Sequence, residues 1–128
     1  MTRVLIVDDS KFMAKGMQAI LQKMDYEIVA LAHDGQQGLD AFETHHPDVT
    51  LLDVTMPNMD GVHCLQRLRE MDSDARVVML SAVQDAETVA RCMEHGASSF
   101  LQKPIRPSSP SDLARLLDSL EEAASKAV

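Results

Sequence analysis

The sequence predicts an α/β domain in which a parallel sheet is covered by helices on both faces. Three observations carry this. Five short apolar runs alternate with five stretches whose apolar residues recur at helical spacing. The runs are apolar almost throughout rather than alternating, as strands buried on both faces must be. Several of them end in a polar residue, and the C-terminal edge of a parallel sheet is where ligands bind.

The elements follow in order. "RVLIVDD" (3–9) reads as the first strand. "SKFMAKGMQAILQKM" (10–24) is a helix with Met13, Met17, Ile20, Leu21 and Met24 as core filler. "EIVALAH" (27–33) is strand-like and ends in His33, Asp34 and Gly35, which read as a turn. "GQQGLDAFETHH" (35–46) is a helix with Leu39 and Phe42 inward; His45 and His46 end it before Pro47. "DVTLLDV" (48–54) is the third strand. Pro57 stiffens the loop after it, and Gly61 lets the chain turn into the helix "GVHCLQRLREM" (61–71), whose stripe is Val62, Leu65 and Leu68. "ARVVMLSA" (75–82) is the most apolar strand. "DAETVARCMEHG" (85–96) is a helix with Asp85 as N-cap and Gly96 as stop. "SSFLQK" (98–103) is the fifth strand. In the last helix Ser109 caps, Pro110 takes the first position and Asp112 completes a capping-box pattern; Leu113, Leu116, Leu117 and Leu120 form its stripe.

Composition narrows the function. The 128 residues suit one domain, and 45% hydrophobic content is globular. A net charge of −8, from 20 acids against 12 bases, argues against binding to nucleic acid or an anionic membrane. No apolar segment is long enough to span a bilayer. With no Trp, one Tyr and three Phe, the chain lacks the rings a flavin site uses. Cys64 and Cys92 lie in helical patterns and read as reduced core residues of a cytoplasmic protein. His63 and His95 read as isolated surface residues.

The strand ends carry the chemistry. The first strand ends in Asp8 and Asp9, the third in Asp53, the fourth in Ser81 and the fifth in Lys103. In the flavodoxin-like strand order 2-1-3-4-5 these four strands are neighbours, so the five residues line one pocket. Three carboxylates and one lysine leave a charge of −2, which one divalent cation balances. An all-oxygen donor set with few carboxylates suits Mg²⁺. A cation and a lysine beside a carboxylate are what a phosphoryl acceptor needs.

The motifs "VDDS", "LLDVTMPNMDG", "MLSA" and "LQKP", in this order, resemble those of the response-regulator receiver domain of two-component signalling, and "VDDSKFM" resembles chemotaxis-type single-domain receivers. The resemblance runs from Val4 to about Ala123. It implies that Asp53 is the phosphoacceptor, fed by a sensor histidine kinase or phosphotransfer protein. It also implies that Asp9, Asp53 and the Thr55 backbone carbonyl bind Mg²⁺ directly and Asp8 through water. Lys103 pairs with the acids and then with phosphate; Ser81 binds phosphate and, with Phe100, forms a switch. The Lys103–Pro104 bond is expected to be cis. Output is expected on the face of the fourth helix, fifth strand and fifth helix, with the protein a monomer or a phosphorylation-dependent dimer. Ser81 stands where Thr is frequent, and Phe100 where Tyr also is.

The whole chain, 1–128, is read as one free-standing receiver that assists its own phosphorylation and dephosphorylation without being an enzyme. One alternative is a receiver cut from a longer regulator with an output domain. A Mg²⁺-dependent phosphatase of the haloacid-dehalogenase type would place its nucleophile in a D-x-D pattern after the first strand, whereas here the acids are adjacent. A flavodoxin-type electron carrier would need a phosphate-binding first loop, which "VDDSK" opposes by charge.

Overall fold

The computed structural model describes residues 1–56, 58–82 and 85–125; Pro57 lies outside the described residues. Five strands and five helices alternate: β1 (Arg3–Val7), α1 (Lys11–Lys23), β2 (Glu27–Ala32), α2 (Gly35–His45), β3 (Val49–Asp53), α3 (Gly61–Met71), β4 (Val77–Ser81), α4 (Ala86–Glu94), β5 (Ser99–Gln102) and α5 (Pro110–Ser125). The strands form one parallel sheet in the order β2-β1-β3-β4-β5, the flavodoxin-like arrangement.

The two faces of the sheet carry two cores. Val4, Ile6, Leu51, Val78 and Leu101 meet Ala14, Met17, Leu21, Leu116 and Leu120 of α1 and α5. Leu5, Val7, Leu52, Val77 and Met79 meet Leu39, Phe42, Leu65, Leu68 and Cys92 of α2, α3 and α4. Successive strand residues thus feed opposite cores, which is why β1, β3 and β4 had to be apolar on both sides. The strand β2 departs from that expectation. It lies at the sheet edge, Glu27 is exposed, and only Ala32 is fully buried.

Each helix opens on an Asp or Ser side chain. Ser10, Asp34, Asp60, Asp85 and Ser109 accept hydrogen bonds from the backbone N–H groups of Met13, Gln37, His63, Thr88 and Asp112. Asp34 is therefore a cap rather than a plain turn residue. Asp112 does not close a reciprocal capping box: its carboxylate accepts from the Arg106 N–H at 3.0 Å and pairs with Arg115. The loop before α5 folds back far enough to compete for it. Met13 also departs from the core stripe. It is 37% exposed, and the inward position of that turn is taken by Ala14. His95 is not isolated either, since its Nε2 lies 2.8 Å from the Gln66 amide.

Two glycines place the chain. Gly96 has φ +91° and follows α4, with the Arg69 guanidinium lying over it. Gly61 is required for close approach rather than for turning. A Cβ there would sit 2.2 Å from the Asp53 carbonyl oxygen and 2.6 Å from the Val54 Cα, both backbone. The Gly61 N–H donates to the Val54 carbonyl at 2.7 Å, which locks the start of α3 against the end of β3. Gly61→Ala should therefore lower unfolding free energy by roughly 2 kcal/mol or more, because backbone must shift. Urea denaturation measures this, and a neutral substitution would show that the β3–α3 junction can relax.

Candidate functional site

The register of the sheet brings the polar strand ends to one edge. Val7 pairs with Leu52, Asp53 with Leu80, and Ser81 with Gln102, so the residues that follow or end these strands share a level. Asp8 and Asp53 are each only 5% exposed, whereas Asp9 is exposed. Oxygens from all three carboxylates lie within 4.8 Å of one another. Lys103 crosses the top of β4 to reach them, its Nζ 2.9 Å from Asp8 Oδ2 and 3.5 Å from Asp53 Oδ1. Its backbone N–H donates to the Ser81 carbonyl at 2.9 Å, which ties the end of β5 to that of β4. The Lys103–Pro104 peptide bond is cis.

Smaller contacts aim the acids. Asp8 Oδ1 accepts the Ser10 N–H at 2.9 Å, and Asp53 Oδ1 accepts the Thr55 N–H at 3.4 Å. Thr55 itself is exposed at the rim. Ser81 is fully buried at the end of β4. Phe100 stands apart from the acids; it is half-buried against the core beneath α2, α3 and α4. Ser81 and Phe100 thus lie on adjacent strands, Ser81 buried at the end of β4 and Phe100 half-buried on β5. Above Phe100, α4 is lightly held, with Cys92 as its one fully buried residue.

Electrostatics set Asp53 apart. Burial pushes the Asp53 carboxyl up to about 6; Lys103 pulls it down and Asp8 pushes it further up. Burial also works against the Lys103 charge, but its bond to Asp8 and the attraction of Asp53 outweigh this and leave its pKa above the usual lysine value. The donors are all oxygen and leave an excess of negative charge, so the residues present fit a hard divalent cation such as Mg²⁺.

Two features here escaped the periodicity argument. An apolar groove opens from Asp8 and Lys103 along α1, lined by Met13, Gly16, Ile105 and Pro107, with Phe12 84% exposed on its lip. His33, at the end of β2, reaches the backbone of Asp8. Neither carries a motif signal, since both depend on loops that pack beside the pocket.

The family model of the response regulator receiver domain matches residues 4–115. The chain belongs to that family. This receiver domain is 38% identical over 104 residues to a chemotaxis protein CheY of Bacillus subtilis, covering 81% of this chain and 87% of that one. It is 36% identical over 124 residues to CheY of Listeria monocytogenes, covering 97% and 99%. Among solved structures it is similar to a CheX–CheY–BeF₃–Mg complex from Borrelia burgdorferi, with a TM-score of 0.85, 36% identity, and coverage of 93% of this chain and 86% of that one. A receiver domain is a signalling module rather than a classical enzyme. Among the described residues, no helix is long and apolar enough to cross a membrane.

The raised Asp53 pKa has a consequence for stability. The folded state holds this proton more tightly than the unfolded chain, whose carboxyl titrates near 3.8. Without metal, stability contributed by the protonated form is present at low pH and lost as pH rises from about 4 through about 6. Asp53→Asn cannot ionise, so in EDTA at pH 7.5 it should be more stable than the parent, by at most about 3 kcal/mol. The advantage should shrink toward pH 4.5. Denaturant melts at both values test it; an equal difference at the two would show that the Asp53 charge is not the cause.

Proposed function

We propose that this receiver accepts a phosphoryl group on Asp53 from a phosphohistidine of a sensor kinase or phosphotransfer protein, and relays it as a change of surface. The observation that carries this is the seat of Asp53, a buried carboxylate held between the acid pair and the Lys103 ammonium. An Asp53 oxygen attacks phosphorus, the P–N bond to the donor imidazole breaks, and its electron pair returns to the ring nitrogen. Asp53 must be ionised to attack, and at neutral pH it largely is, given a pKa of about 6. Lys103 is already charged within reach of Asp53, so it can follow the incoming oxygens without leaving the pocket. Asp8, Asp9, Asp53 and the Thr55 carbonyl would hold Mg²⁺, which supplies charge neutralisation to the phosphoryl oxygens when bound. The buried thiols Cys64 and Cys92 fit a reducing cytoplasm. CheY relatives extend the reading to chemotaxis-type control of a protein target.

Intact-mass analysis with acetyl phosphate should show one added phosphoryl group on the parent in Mg²⁺, none in EDTA, and none on Asp53→Asn. Equal labelling of mutant and parent would remove Asp53 from the role.

In this reading output runs through β4 and β5. Phosphorylation adds roughly −1.5 to −2 charge and three acceptor oxygens at Asp53. The Ser81 hydroxyl, on the neighbouring strand, moves to donate to them. Space opens next to β5, and the half-buried Phe100 turns inward to take it. The lightly anchored α4 then shifts, so the α4–β5–α5 face meets its target differently. Ser81→Ala should still be labelled on Asp53, yet with beryllofluoride its NMR shifts around Phe100 should move much less than the parent's. A full parental response would show that this hydroxyl does not couple the pocket to the face.

A further inference from the structure

The end of β2 contributes nothing to the pocket's carboxylates, yet it is bonded to the strand end that carries two of them. His33 Nδ1 lies 3.1 Å from the backbone carbonyl oxygen of Asp8. A carbonyl only accepts, so the ring donates from Nδ1. The His33 backbone is anchored in turn. The His33 N–H donates to Gln37 Oε1 at 2.9 Å, and the Gln37 N–H donates to the cap residue Asp34 at 2.7 Å.

The accepted carbonyl belongs to the peptide that joins Asp8 to Asp9. On its other side, the Asp8 N–H donates to the Ala32 carbonyl at 2.9 Å. Both backbone groups of Asp8 are thus tied to the end of β2. Its side chain is held separately, by Ser10 and Lys103. The Asp9 side chain differs: it is exposed, and among the described residues no hydrogen bond holds it. The Asp9 backbone is restrained on both sides, by the Asp8–Asp9 peptide at His33 and by the Ser10 N–H at Asp8 Oδ1.

We propose that His33 is a positioning residue for Asp9. By pinning the Asp8–Asp9 peptide, the ring keeps the exposed Asp9 carboxylate turned toward Asp8 and Asp53, its oxygen within 4.8 Å of theirs. Without the bond, that peptide can rotate and the carboxylate swings into solvent at little cost. The inference rests on the reading of the acid cluster as a Mg²⁺ site.

The test is Mg²⁺ affinity of the full chain, measured by calorimetry at pH 7 without phosphodonor. Asparagine separates a hydrogen bond from ring packing, because its Nδ2 occupies the place of the histidine Nδ1, one atom beyond Cγ. His33→Ala should weaken Mg²⁺ binding roughly tenfold, as removal of an outer-shell partner typically does. His33→Asn should restore it to within about twofold, and metal-free melting of both should stay near the parent's. Unchanged affinity in His33→Ala, or His33→Asn as weak as alanine, overturns the brace alone. A parent that binds no Mg²⁺ overturns the metal site and the brace together.

Discussion

Two carboxylates that are each 5% exposed face each other across β1 and β3, and such a pair is repulsive unless something compensates. The compensation is one ammonium group. Lys103 stands 95 residues from Asp8 along the chain, yet its Nζ contacts both acids. Every larger feature of the domain serves that meeting. The sheet order must place β1, β3, β4 and β5 as neighbours, the register must bring their ends level, and the end of β5 must be tied to β4 through the Ser81 carbonyl. Because the acids still outnumber the base, the pocket remains short of positive charge, and its residues fit a hard divalent cation.

The packing is correspondingly uneven. The strands β1, β3 and β4 and the helices on either side of them contribute most of the fully buried side chains. By contrast, α4 has one such residue and β5 is only partly covered. The acids sit at the end of the densely packed centre, while the lightly anchored elements lie beside Ser81 and Phe100. Under the proposed switch, a change of charge at the centre is relayed toward α4 and β5, which carry few buried side chains.

Much of the architecture was legible in the sequence. Apolar runs buried on both faces have few alternatives to strands of a parallel sheet, and the stripes of α3 and α5 pack as their spacing implies. Local chemistry was less legible where two partners compete for one group. Asp112 has the spacing of a capping box but is taken by Arg106 and Arg115. Met13 has core spacing but lies on the rim of a groove, because a helix stripe is wider than the face its neighbours cover. Gly61 reads as a turn residue, whereas the constraint on it comes from the Asp53 backbone. His33 had no motif at all, since its partner is a carbonyl rather than a side chain.

The amino-acid order by itself determined the element sequence, the two-sided burial of the strands and the identity of the polar residues at their C-terminal ends. These depend on residue type and short spacing, which a chain carries locally. Tertiary structure decided the distances: which oxygen Lys103 reaches, how far burial raises Asp53, and which backbone group restrains Asp9. Those quantities depend on register and desolvation, and both arise only when strands far apart in the chain are packed side by side.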